Sequence, residues 1–170
     1  YAGDVTALCV VPAGDGAPDR CSLLLAGIGA AVHVWELPSA AKLCEAAVLE
    51  GVRLHGVQAG RRGDRVVAHG ERRVVVLSLA RDSGGGGGGG SAPRSVSLAL
   101  VWELPMFVAW VMDARVLDEE LLAVGLSDNA VELHDVAARC RRWRVESSVR
   151  CLLYSLAITG ETETELKVAS

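Results

Sequence analysis

The densest chemistry in the sequence is the run Arg139-Cys140-Arg141-Arg142-Trp143-Arg144, four guanidiniums and an indole within six residues. A guanidinium neutralises phosphate and hydrogen-bonds it through a fixed fork, and an indole offers a face on which an unpaired base stacks. Arg139, Arg141, Arg142, Trp143 and Arg144 are therefore candidate RNA-binding residues, suited to a single-stranded loop. An outer strand with a solvated charged face would use the same residues. The net charge of −4 over 170 residues carries no general nucleic-acid signature. Arg61, Arg62 and Arg65 form a weaker second patch, while Glu161, Glu163 and Glu165 alternate with threonine and read as a solvated loop facing away from any RNA.

Nothing in the sequence assembles into a catalytic or metal site. Gly27-Ile28-Gly29-Ala30-Ala31-Val32 begins like a dinucleotide fingerprint, but Val32 stands where the third glycine belongs and no amphipathic helix follows to bind an anion. A turn between two strands is the simpler reading. His33, His55, His69 and His134 are spread singly, without the close pairing of a zinc site. Asp113, among Trp110, Met112 and Val116, has the apolar surroundings of a general base but no Ser, Cys or His nearby in sequence. It reads as a carboxylate bonded to backbone or paired with Arg115.

These residues need a frame, and the chain repeats one. Leu23-Leu24-Leu25-Ala26-Gly27 leads to Val32-His33-Val34-Trp35-Glu36, and Leu121-Leu122-Ala123-Val124-Gly125 leads to Val131-Glu132-Leu133-His134-Asp135. A degenerate copy, Val66-Val67-Ala68-His69-Gly70 then Val74-Val75-Val76-Leu77, lies between them. Trp35 and Leu77 are 42 residues apart, Leu77 and His134 57, and the excess of 15 equals the segment 81–95, which holds seven consecutive glycines. That segment reads as a flexible loop insert. Without it the period is about 40 to 45, the length of a four-stranded propeller blade.

Period-two patterning bounded by Gly, Pro, Asp and Ser predicts strands. Val5 to Val11, Leu54 to Ala59, Trp110 to Leu117 and Val149 to Leu156 open successive units. Second strands end near Gly27, Gly70 and Gly125, with Leu166 to Ala169 serving the last unit. Lys42 to Leu49, Ser95 to Glu103 and Cys140 to Glu146 are the more polar fourth strands. Ser39 to Val48 is Ala-rich, but its apolar spacing is poor and Pro38 precedes it, so a strand is favoured over a helix. Asp128 and Asn129 suit a tight turn. Val131 and Leu133 then alternate with Glu132 and His134 on opposite faces.

Hydrophobic residues make up 51% of the chain and charged residues 22%, which excludes disorder. The chain opens at Tyr1 without a methionine and stops in Val168-Ala169-Ser170, so we read it as a fragment exposing apolar blade faces and of poor solubility. No apolar run reaches the roughly 18 residues of a membrane span, and no signal peptide opens the chain. Cys9, Cys21, Cys44, Cys140 and Cys151 are odd in number and lack a CxxC pair, which fits buried apolar thiols in a reduced cytoplasmic compartment.

The third unit resembles the second and third strands of a WD-repeat blade, with His134-Asp135 at the Trp-Asp position, as Trp35-Glu36 stands in the first unit. The Gly-His dipeptide that often opens such repeats is absent. The fold expected is all-β, part of one WD-repeat β-propeller over residues 1–170, about three blades and part of a fourth. More narrowly, Trp110-Val111-Met112-Asp113-Ala114-Arg115-Val116-Leu117, preceded by Trp102-Glu103-Leu104 and followed by the Asp-Asn turn and Arg150-Cys151, resembles the WD repeat-containing protein 6 family over about 101–160. That resemblance implies a non-catalytic scaffold whose partner is a Rossmann-fold methyltransferase acting on the ribose 2′-hydroxyl at the tRNA wobble position. The chain would help position the tRNA, and S-adenosylmethionine would belong to the partner, so this chain carries no cofactor of its own. A generic WD-repeat adaptor of another complex is the alternative. An enzyme with a nucleotide site at Gly27 is a third.

Overall fold

The computed structural model describes residues 3–13, 22–81, 95–118, 120–148, 153–158 and 166–167. The Gly-rich insert apart from its ends Arg81 and Ser95, Cys21, Cys151, Arg150 and the alternating glutamates 161, 163 and 165 lie outside the described residues, as do positions 149–152 of the expected fourth opening strand.

Three four-stranded antiparallel sheets follow one another along the chain, each an up-and-down meander. The first is β1 (Val5–Val11), β2 (Leu23–Ile28), β3 (Ala31–Glu36) and β4 (Lys42–Ala47). The second is β5 (Gly56–Ala59), β6 (Arg65–Gly70), β7 (Arg73–Arg81) and β8 (Val96–Glu103). The third is β9 (Val111–Val116), β10 (Leu121–Leu126), β11 (Ala130–Asp135) and β12 (Cys140–Glu146). A two-stranded ladder, β13 (Ala157–Ile158) with β14 (Leu166–Lys167), comes last. The Ala-rich segment is the strand β4. The Gly27 motif is the hairpin between β2 and β3, with Gly29 at φ 59°. Asn129 takes φ 63° in the β10–β11 turn, where Asp128 Oδ1 accepts from the Ala130 N–H at 3.3 Å. Among the described residues no helix is long and apolar enough to cross a membrane.

The three sheets pack face to face as blades, with β1 against β5, β5 and β6 against β9, and β4 against β8. Blade two is covered on both sides, which explains why β6 reads as an unbroken apolar run. Val66 and Ala68 join Leu25, Val32 and Val34 of blade one, whereas Val67 joins Ala114, Val116, Leu122 and Val124 of blade three. Each fully buried Val or Leu contributes about 1.5–3 kcal/mol relative to exposure. Among the described residues nothing gives blade one such cover on its far face. Leu8 and Val10 alternate with Ala7 and Cys9, which pack inward, and stand 60% and 55% exposed.

Two expectations need correction. The chain at Leu153–Leu156 is not a strand; Leu153 and Leu156 bury themselves on Ala123 and Val131 of blade three. The reason is competition for the backbone from a side chain distant in sequence: the N–H of Leu156 donates to Asp113 Oδ2 at 2.8 Å instead of to a ladder. The cysteines are not uniformly buried either. Cys140 is exposed, and Cys9 and Cys44 are half-buried and unpaired. Cys9 Sγ accepts the N–H of Ala59 at 3.3 Å, so this thiol links blades one and two.

Candidate functional site

The basic run forms β12, the outer strand of blade three, paired antiparallel with β11. Glu132 stands opposite Arg144, and Leu133 opposite Trp143. A bulge then intervenes, so that His134 faces Arg141 and Arg142 is the extra residue. This offset lets guanidiniums from both parities of the strand turn back onto the blade. Arg141 Nη1 and Arg144 Nη1 each donate to Glu132 Oε1 at 2.9 Å, and Arg144 also donates to Asp128 Oδ2 at 2.6 Å and Glu146 Oε1 at 2.9 Å. Arg142 donates from Nε and Nη2 to Asp135 Oδ2. Arg139, at φ 52° in the β11–β12 turn, donates to the carbonyl of Val101 on β8, tying the outer edges of blades two and three.

Arg141, Arg142 and Arg144 are thus paired with four carboxylates, whereas Arg139 bonds a backbone carbonyl. Arg139, Arg141, Arg142, Trp143 and Arg144 stand on β12 and the turn before it, beside the acids Asp128, Glu132, Asp135 and Glu146. Trp143 is 38% exposed. Arg141 and Arg142 are about half exposed with one carboxylate partner each, whereas Arg144 holds three. Arg61 and Arg62 sit on the β5–β6 turn and Arg65 opens β6, all on blade two rather than beside β12.

Glu132 is the node of this network and is only 4% exposed. Burial works to raise its pKa, but hydrogen bonds from Arg144 and Arg141 and the proximity of His134 outweigh that and hold it below the usual carboxylate range. His134 Nε2 meets Glu132 Oε2 at 2.9 Å, with Trp102 and Phe107 of the neighbouring blade packed on its ring. Burial lowers the His134 pKa despite the adjoining Glu132 carboxylate. Asp135 lies below its ordinary pKa because the Ala138 N–H and then Arg142 bond its charged form. The polar face of β11 is therefore buried against blade two. The signal available beforehand was the i, i+2 pair Glu132 and His134 facing an arginine-rich neighbour strand.

Asp113 is the structural carboxylate anticipated for it. Its Oδ1 accepts from the Ala114 N–H at 2.9 Å, and Oδ2 accepts from Arg115 Nε at 3.0 Å and Leu156 N–H at 2.8 Å. It bridges β9 to the chain that follows blade three.

His69 is a buried titratable group that this site does not use. It is 3% exposed on β6, and its Nδ1 has no hydrogen-bond partner. Burial, against the opposing pull of Asp113 and with help from His55 and Arg115, lowers its pKa from 6.5 to about 4. The unfolded chain takes up this proton first, so stability falls as pH drops from 6.5 toward 4, by about 3 kcal/mol in total. Urea unfolding at pH 7 and pH 4 should show that loss shrinking by most of this amount in His69→Leu; an equal pH dependence in both proteins contradicts the assignment.

No protein-family model matches the chain, and no curated protein matches it. Solved structures do. The Cps50 (Swd1) β-propeller domain of Myceliophteria thermophila superposes with a TM-score of 0.69 at 12% identity, over 89% of this chain and 43% of that one. The computationally designed Ika4 protein superposes with a TM-score of 0.63 at 11% identity, over 94% of this chain and 82% of its own. The chain therefore spans less than half of the Cps50 chain it matches. Three consecutive four-stranded blades, and these similarities of shape, make the chain part of a β-propeller.

Proposed function

We propose that this chain belongs to a cytoplasmic, non-catalytic propeller scaffold that assists a Rossmann-fold methyltransferase in methylating the tRNA wobble ribose, by positioning the tRNA. The observation that carries this reading is the segment Trp110-Val111-Met112-Asp113-Ala114-Arg115-Val116-Leu117 with its surroundings, which resembles the WD repeat-containing protein 6 family. The fold supports a scaffold in general terms, because blades secured by mutual packing leave turns and outer strands free for partners. Fold alone does not choose the client, so the choice rests on those residues. In this reading the S-adenosylmethionine is held by the partner. Arg141 and Arg142 keep guanidinium donors beyond those given to Glu132 and Asp135, and they are the β12 residues best able to reach phosphate. Arg139, Trp143 and Arg144 flank them.

Full-length protein purified with the methyltransferase tests the proposal. Stable association is expected, together with wobble-ribose methylation of a tRNA transcript that depends on adding the scaffold. An enzyme fully active alone and without affinity for the scaffold overturns it, and would leave the reading of a generic propeller adaptor.

A further inference from the structure

The second tryptophan with substantial exposure lies away from β12. Residues 104–110 connect β8 to β9 along one end of the blades. The connection is pinned at both ends: Leu104 and Phe107 are buried, and their N–H groups donate to the carbonyls of Val74 and Arg72 at 3.0 and 2.9 Å. Trp110 itself is locked to the β10–β11 turn, its N–H donating to Ser127 Oγ at 3.0 Å and its carbonyl accepting from Ser127 N–H at 2.9 Å. With its backbone fixed, the indole stands 51% exposed. The exposed His55 from the β4–β5 connection stacks on it, centroids 6.2 Å apart and planes within 17°. Met106 and Val108 of the same connection are 67% and 95% exposed. Arg72 is exposed on the β6–β7 turn bonded to this connection, and enters no ion pair among the described residues.

A half-exposed indole on a hydrogen-bonded backbone, backed by a second ring, with exposed apolar side chains in the same connection and, on the adjoining turn, a guanidinium without an ion-pair partner among the described residues, is a platform for a flat aromatic ring attached to an anion. Trp143 lacks part of this setting, since the guanidiniums around it are engaged by carboxylates of the same blade. We propose that the Trp110–His55 pair is a stacking site for one unpaired nucleobase of a single-stranded RNA segment, with Arg72 placed toward its phosphate. The inference rests on the tRNA reading for its source of unpaired bases and sharpens it, moving base contact from β12 to the blade end. A π-stack beside the exposed Arg72 guanidinium favours a nucleotide over a protein side chain as the occupant.

The test is tryptophan-fluorescence titration of the full-length protein with an unmodified tRNA transcript and with its isolated anticodon stem-loop. Trp110→Ala should weaken both by about ten- to a hundredfold, the range that losing one stacked base carries. Trp110→Phe should restore most of the affinity. Because Trp110 is exposed, its melting temperature serves as the folding control. Tight tRNA binding unchanged by Trp110→Ala overturns this site and leaves the tRNA reading standing. Unchanged tRNA affinity with lost methyltransferase capture in Trp110→Ala also overturns it and makes the blade end a protein-docking surface. Absence of tRNA binding by the wild-type protein overturns it too, and wobble methylation after depletion then reports separately on the tRNA reading.

Discussion

Gly70→Ala should be among the most damaging single-methyl additions in the chain, lowering stability by about 3 kcal/mol. The φ of Gly70 is not in the left-handed region, so alanine is tolerated by the backbone itself; the penalty is contact. A Cβ built there lies 2.1 Å from the carbonyl oxygen of Arg53 and 3.2 Å from Val52 Cγ1. The obstacle is backbone, and that backbone cannot drift freely. Leu54 N–H donates to the Gly29 carbonyl at 2.8 Å, His55 N–H donates to the His69 carbonyl at 2.8 Å, and the Leu54 side chain is fully buried between blades one and two. Relief must pull Leu54 out of that core or break those bonds. The same displacement moves His55, which backs Trp110. Gly27→Ala is the comparison: its nearest neighbours are side-chain atoms of Leu54 and Ala7 at 3.2–3.4 Å, and its cost should be clearly smaller. Urea midpoints at constant m-value measure both. Equal effects for the two variants would show that the β4–β5 connection yields easily.

Asp113→Leu should cost a similar amount, about 3–4 kcal/mol, by a different route. The substitution removes the acceptor of three N–H groups at once, leaving the Leu156 N–H without its partner and the Arg115 guanidinium without its counter-ion. Asp113→Asn keeps one acceptor oxygen and should lose roughly half as much. The readout that separates this from general destabilisation is local. Hydrogen exchange at Leu156 should accelerate far more than exchange in β6, because Leu153 and Leu156 are released from Ala123 and Val131 before the blades separate. Uniform acceleration across the chain would mean that Asp113 does not hold the segment after blade three.

Strands were legible where the pattern is local. β1 and β12 begin and end where alternation and flanking turn residues predict, and the Gly29 and Asn129 turns follow from residues that tolerate positive φ. What escaped reading depends on partners distant in sequence. Leu153–Leu156 has strand-like composition, yet Asp113, more than forty residues earlier, takes the N–H that a ladder would need. Glu132 and His134 form a polar face in the sequence, and only the fold shows Trp102 and Phe107 packed on the His134 ring and Glu132 buried beside it. The arginines of β12 look free to meet phosphate because their pairing depends on register and on a bulge that composition does not announce. Trp110 stands near Asp113 in the sequence, whereas its exposure and its stacking on His55 arise only where two inter-blade connections meet.

The most direct test of the proposed role in tRNA modification is ribose 2′-O-methylation at the wobble position in cells depleted of the full-length protein. Selective loss at that position, restored by re-expression, is the result predicted. Unchanged methylation would contradict the account and leave a β-propeller with a different role.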